Sequence, residues 1–240
     1  MAEEVIEINN LHYRIGKSKV ILEAIDASIS KGSFVALLGE NGAGKTTLLD
    51  LLMGFRKPTG GRIKVMGEEP YLDHWKQRSV IAYLSEKVDI PGDWSVREFL
   101  SFNSFFYEDY STDLEHELLR ELRTEPDNRV GNLSAGEIRR VQIIAALSIQ
   151  PRIAVIDEIS AVLDIIGRRK FMRLLHEQSK VNGMTVLLAT NILEDLSNYI
   201  SDVFLISRGK LKVFKKLDVF LSDRDKNNFS QLVADTLEEE

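Results

Sequence analysis

The sequence predicts an α/β fold, with a parallel sheet covered on both faces by helices, an antiparallel β portion at the N-terminus and a helical insert. Three observations predict it. Apolar runs at Phe34–Leu38, Ile153–Ile156 and Val186–Ala189 are each followed by a helical pattern, the alternation of a parallel sheet buried on both faces. Strand-like runs such as Val5–Ile8 and Ala27–Ile29, separated by Gly and polar turns, dominate the first sixty residues. From Val96 to Gln150 the spacing turns helical, with Phe99, Phe102 and Phe106 on one stripe, then Leu118, Leu119 and Leu122.

Each element follows in chain order. Residues 4–84 and 151–215 read as one β-rich core, 85–150 as the insert and 216–240 as a short C-terminal tail. The run FVALL is too apolar for a half-exposed strand, and it leads through glycines into a helix beginning near Lys45. Near the end, DVFLISRGKLKVF reads as two strands joined at Arg208, Gly209 and Lys210.

Composition narrows the function. The 240 residues are 44% hydrophobic, enough for an ordinary core. A net charge of −6 gives a nucleic-acid backbone no overall attraction, so no nucleic-acid partner is expected. No apolar stretch approaches the ~20 residues that cross a membrane, and the acidic start is unlike a signal peptide, so a cytoplasmic location is expected. Zero cysteines exclude disulfides and thiolate metal sites, and the four histidines lack ligand spacing, so any metal must sit on oxygen.

Gly39, Glu40, Asn41, Gly42, Ala43, Gly44, Lys45 and Thr46 fit the P-loop pattern, in the strand-to-helix context that the pattern requires. Glycines let successive N–H groups face inward, and the helix start adds a positive end, together making a socket for phosphate oxygens. Lys45 supplies a point charge for the terminal phosphates, Thr46 a hydroxyl for Mg²⁺, and Thr47 completes the ATP-binding set. A Gly-rich turn without function is the plainer reading. With glycine near 7% of residues, the pattern arises by chance in about one chain of this length in a hundred.

Asp157 and Glu158 follow Ile153–Ile156 at the carboxyl end of a buried strand, where open parallel sheets place their ligands. Successive strand side chains point opposite ways, so the two acids can divide the work. Asp157 is assigned to Mg²⁺ and Glu158 to orienting or deprotonating the attacking water. Beside a P-loop this outweighs the alternative of two acids entering a polar loop.

Shortly before that strand lies Leu133-Ser134-Ala135-Gly136-Glu137, which resembles the signature motif of ABC ATPases, usually LSGGQ. Tyr13 resembles that family's adenine-stacking aromatic. Tyr83-Leu84-Ser85-Glu86 resembles the loop whose glutamine touches metal and transport partner, and Ala161, Val162, Leu163 and Asp164 resemble its dimer-contacting loop. Order and spacing match over about residues 4–215. The resemblance implies an ATP-binding, ATP-hydrolysing subunit of a bacterial export-type transporter, peripheral on the inner face of the membrane. It also implies Mg²⁺ held by Thr46, Glu86 and Asp157, and a homodimer or heterodimer closed around two ATP. A separate transmembrane subunit is the implied partner. Ser134, Ala135, Gly136 and Glu137 would face the ATP of the other copy.

Plainer roles fit some of these residues. Ser134 with Glu137 makes an ordinary capping box, compatible with the phosphate role. Tyr13 fits core packing as well as adenine stacking. Helical spacing assigns Phe99, Phe102 and Phe106 to the core, leaving Trp94 and Phe105 as candidates for a partner groove.

Departures from the family pattern bear on rate. Asn191 stands where a histidine usually contacts the γ-phosphate, offering a donor without charge or proton transfer. Glu86 replaces glutamine, Ala135 a glycine and Ile159 a proline. ATP binding with slow hydrolysis is the resulting expectation, with Glu158, Lys45 and Asn191 as the catalytic set. A soluble ABC-type ATPase and a weakly hydrolysing nucleotide sensor are the rival readings.

Overall fold

A computed structural model describes residues 3–16, 18–72, 80–85, 89–158, 164–190 and 198–215. The strands are β1 (Glu4–Ile15), β2 (Lys19–Ser30), β3 (Phe34–Leu38), β4 (Gly60–Val65), β5 (Ile81–Leu84), β6 (Ile153–Asp157), β7 (Thr185–Ala189), β8 (Asp202–Ser207) and β9 (Lys210–Lys215). The helices are α1 (Lys45–Leu52), α2 (Val96–Ser104), α3 (Thr112–Glu121), α4 (Ala135–Ser148) and α5 (Ile165–Asn182), with a 3₁₀ turn at Val130–Asn132.

Two sheets result. The first is antiparallel, ordered β2-β1-β4. The second is ordered β5-β6-β7-β3-β8-β9 and is parallel except for β9. Because side chains alternate along a strand, this second sheet feeds two cores. Ala36, Leu38, Ala154, Ile156, Val186, Leu188, Val203 and Leu205 pack with the helices α2 to α5. Val35, Leu37, Ile153, Val155, Leu187, Ala189, Phe204 and Ile206 pack with α1 and the first sheet. The apolar runs were thus legible as strands because both faces are covered.

β3 falls at its expected bounds, and β6 and β7 each extend one residue beyond theirs. β1 and β2 are much longer than the runs at Val5–Ile8 and Ala27–Ile29. Asn10 (φ 46°) and Ala24 (φ 51°) sit in the left-handed region, and register shifts there interrupt the alternation that would have marked one continuous strand. The Asn10 N–H is satisfied by Asp26 Oδ1 at 2.7 Å. Tyr83 and Leu84, expected in a loop, lie in β5, with Ser85 following its last residue. The turn between β8 and β9 is the two-residue pair Arg208 (φ 47°) and Gly209 (φ 79°), positive at both positions as a tight hairpin requires, and Lys210 opens β9.

The insert is helical as expected, but its aromatic stripe is not core. Phe102 is 53% and Phe106 60% exposed, whereas Val96 and Leu100 are buried. Phe99 packs on the core only in part. One face of α2, carrying Val96 and Leu100, joins the core beside α4, and the other aromatic row stays outside. Leu118, Leu119 and Leu122 are buried as their spacing predicts. No helix among the described residues is long and apolar enough to cross a membrane.

Candidate functional site

The loop after β3 lies so close to its neighbours that a Cβ at Gly39 meets backbone and one at Gly44 meets a buried side chain, at a φ that disfavours any side chain. A Cβ on Gly39 would lie 2.2 Å from the Ile206 carbonyl oxygen. One on Gly44 (φ 113°) would lie 2.8 Å from Leu22 Cδ2. The loop is therefore moulded between β8 of one sheet and β2 of the other. Gly44 is the N-cap of α1 and has no side chain to cap the first-turn N–H groups, which suits an external anion. Asn41 and Gly42 are exposed and Ala43 half-buried at the mouth, with Thr46 and Thr47 half-buried in the first turn of the helix.

Lys45 is the centre of the arrangement. Its side chain is 5% exposed, and Nζ donates to the Gly39 carbonyl at 2.8 Å and the Glu40 carbonyl at 3.1 Å. Glu158 Oε1 lies 3.5 Å from the same nitrogen. Glu158 takes a left-handed φ of 51°, costly for a residue with a side chain, and its N–H bonds the Ala189 carbonyl at 3.0 Å. That turn aims the carboxylate back at Lys45. Asp157, the last residue of β6, is buried beside it. Burial, then the Asp157 charge, pushes the Tyr83 hydroxyl on β5 up to about 12, so Tyr83 stays neutral. Thr46 and Asp157, sequence neighbours of the Lys45–Glu158 pair, offer a hydroxyl and a buried carboxylate, a donor set that fits Mg²⁺. Carbonyl and carboxylate oxygens now satisfy the buried ammonium, as phosphate oxygens would.

Ser134 and its neighbours are elsewhere, at the start of α4 on the insert. They form the expected capping box: Ser134 Oγ accepts from the Glu137 N–H at 3.3 Å, while Glu137 Oε2 accepts from the Ser134 N–H at 2.9 Å and its hydroxyl at 2.6 Å. The Ser134 hydroxyl, then its N–H, hold the Glu137 carboxyl below its usual range. Ser134 and Ala135 are exposed, and Gly136 and Glu137 half-buried. Among the described residues, no hydrogen bond or ion pair joins them to residues 39–47 of the same chain. Their lead-in is pinned, because Gly131 N–H bonds the Gly92 carbonyl and Val130 N–H the Trp94 carbonyl, both at 2.9 Å.

Tyr13 is half-buried against the core shared by the first sheet and α1, and pairs across the strands with Leu22, which faces Gly44. Arg56, not singled out from the sequence, donates to the Tyr13 hydroxyl at 3.1 Å and to Asp50 Oδ2 at 2.7 Å. Its guanidinium carbon lies 5.8 Å from the ring centroid. Asp50, then Tyr13, raise the already high pKa of Arg56, so it is permanently charged. Glu86, Ile159, Ala161, Val162, Leu163 and Asn191 lie outside the described residues. Asp164 caps α5, its Oδ1 accepting from the Gly167 N–H at 2.6 Å.

An aromatic ladder stands on the insert surface. Trp94, Phe102, Phe106 and Phe105 meet edge to face in succession at centroid distances of 5.1, 5.0 and 5.7 Å. Phe105 is 85% exposed. A separate cavity of about 110 Å³ opens between β5, α2 and α4, lined by Tyr83, Ser85, Phe99, Asn103, Tyr107 and Gln142 among others.

Comparison with known proteins bears on this arrangement. A family model described as ABC transporter matches residues 22–161. The zinc uptake system ATP-binding protein ZurA of Listeria monocytogenes is 30% identical over 217 residues, covering 86% of this chain and 84% of that protein. The bacitracin transport ATP-binding protein BcrA of Bacillus licheniformis is 29% identical over 212 residues, covering 86% of this chain and 68% of that one. A solved structure described as an ATP-binding subunit of an ABC transporter superposes with a TM-score of 0.81 at 25% identity, covering 91% of this chain and 92% of that one.

Proposed function

The chain belongs to the ABC transporter family as an ATP-binding subunit, and from that premise we propose that two copies, or one copy and a close relative, close head to tail around two Mg²⁺·ATP to drive a separate membrane-spanning subunit. The observation that carries this reading is Lys45, a buried cation at the floor of a glycine-moulded loop, held by two carbonyls and facing Glu158. A triphosphate entering the loop exchanges those oxygens for its own, with the loop N–H groups and the start of α1 sharing its charge.

Residues 39–47 grip the phosphates and Tyr13, steadied by Arg56, meets the adenine. Thr46, Asp157 and Glu86 hold Mg²⁺, which when bound neutralises charge on the phosphate oxygens. Glu158 turns from Lys45 to the attacking water and accepts its proton, while Lys45 and the loop N–H groups stabilise the charge on the transferring phosphoryl group. Asn191 donates a neutral hydrogen bond in place of a charged one.

The loop covers only one side of the triphosphate, so a second surface must exclude water. Ser134, Ala135, Gly136 and Glu137 of the other copy provide it, with the N-terminal end of α4 directed at the γ-phosphate. The experiment is ATP-dependent dimerisation followed by light scattering in a Glu158→Gln background. Ser134→Glu puts a carboxylate against the phosphate and is expected to abolish the dimer, leaving ATP affinity of the monomer within about twofold. A dimer that persists in this variant overturns the head-to-tail reading.

Hydrolysis is proposed to be slow. If a charge-assisted hydrogen bond of about 1.5–3 kcal/mol is missing at residue 191, Asn191→His is expected to raise steady-state phosphate release by roughly ten- to a hundredfold. No gain in that assay removes the case for slow turnover. The aromatic ladder from Trp94 to Phe105 and the neighbouring cavity are the proposed seat of the membrane subunit: rigid exposed aromatics favour burial against an apolar partner surface. The two relatives are named for bacitracin transport and for zinc uptake, so cargo is assigned to the membrane subunit and not to this chain.

A further inference from the structure

Two basic side chains are buried among the described residues: Lys45, already placed at the phosphates, and Arg139, which is 4% exposed and has no part in the chemistry above. A cation withdrawn from water costs several kcal/mol unless oxygens replace the water, so its partners define what it holds. Arg139 Nη1 directs its hydrogens at the Ser85 carbonyl, 2.9 Å away, and at Gln142 Oε1, 2.7 Å away. Gln142 is one turn further along α4, which fixes the guanidinium relative to its own helix. Ser85 follows the last residue of β5 and is itself buried. Leu84 pairs with Ile156, so Ser85 stands level with Asp157 at the carboxyl edge of the sheet. Arg139 thus fastens α4 to the edge that carries Asp157 and Glu158. Five residues before it along the same helix is the N-cap Ser134, about 7.5 Å away by helical rise.

We propose that Arg139 is a positioning residue that sets the distance, within one chain, between the phosphate loop it presents to one ATP and the Ser134 surface it presents to the other. This rests on the head-to-tail reading above. In such a dimer each chain touches both nucleotides, so closure at one site moves the other only if the two surfaces of a chain are rigidly spaced. The guanidinium supplies that rigidity, since one Nη1 bonded both to the end of β5 and to a side chain of its own helix has less freedom than a single contact would leave it. Arg139 then acts on turnover and on cooperativity between the sites, and not on the affinity of a lone phosphate loop.

The test uses the full chain with Arg139→Met, which keeps the length and apolar stem, and Arg139→Lys, which keeps the charge but replaces the planar head group with a single ammonium. Monomer affinity is read with a fluorescent ATP analogue at protein concentrations below dimerisation, and kcat and the Hill coefficient by phosphate release. Arg139→Met is expected to hold affinity within about twofold, lower kcat about ten- to a hundredfold and bring the Hill coefficient towards one, a misplacement effect. Arg139→Lys is expected to recover part of kcat. A general loss of stability lowers the amount of active protein without changing the Hill coefficient. Parental kcat and Hill coefficient in Arg139→Met overturn the proposal, as does affinity falling in step with kcat. Where Arg139→Met does not fold, Arg139→Gln, a shorter polar side chain without the charge, decides by the same criteria. If Ser134→Glu leaves the dimer intact, the head-to-tail reading fails and takes this proposal with it. If Ser134→Glu abolishes the dimer and Arg139→Met behaves as the parent, only the role of Arg139 is lost.

Discussion

Replacing Lys45 with alanine is expected to weaken ATP binding by roughly thirty- to several hundredfold, the equivalent of about 2–4 kcal/mol for charge-assisted contacts to the terminal phosphates. The ammonium is buried and prepositioned by the Gly39 and Glu40 carbonyls, so little side-chain freedom remains to be lost when phosphate oxygens arrive. Truncation also leaves those two carbonyls without their donor and Glu158 without the cation 3.5 Å away. Part of the measured loss therefore reflects a loosened loop. Titration calorimetry with Mg²⁺·ATP separates the two contributions when paired with Lys45→Met, which fills the same space without charge. Affinity within about threefold of the parent in both variants would sink the assignment of the loop as the phosphate site.

Glu158→Gln is expected to lower phosphate release by about a hundred- to a thousandfold while preserving or strengthening ATP binding. The amide keeps the shape and the backbone turn at φ 51° but accepts no proton from water. It also removes a negative charge close to where the triphosphate enters. The ion pair with Lys45 must part before the ammonium turns to phosphate, and the neutral amide relaxes that competition. The variant should therefore accumulate as an ATP-bound dimer in size-exclusion chromatography with ATP present. Turnover close to that of the parent would assign the general base to another group.

Much of the architecture was legible because its signals are local. Phe34–Leu38 leads directly into a glycine-bearing turn and Lys45, so strand, loop and helix are read from one stretch, and the doubly covered sheet follows from runs apolar at every position. Other features depend on contacts that a linear pattern does not hold. β4 opens with Gly60 and Gly61, gives no strand signal of its own, and is ordered by pairing with β1. The stripe Phe99, Phe102 and Phe106 has helical periodicity, yet Phe102 and Phe106 are exposed, and periodicity alone does not distinguish a core face from an uncovered one. Arg139 left a usable signal: it lies three residues before Gln142 and four before Ile143, on the face of α4 that is buried. Its charge suggests solvent, and the carbonyl at the end of β5, with Gln142 beside it, overrides that.

The moulding of Gly39 and Gly44 has a consequence for how the protein is made. The turn takes its shape from Leu22 on one side and from Ile206, close to the last described residues, on the other. A ribosome delivers the glycines early and their far wall late. A nascent chain released at the end of the segment shared with the ABC transporter family model, residue 161, carries every letter of the phosphate motif without the strand that gives it form. The pocket for nucleotide is then complete only once β8 has been made, and a chain that stops short of it lacks one wall of the site.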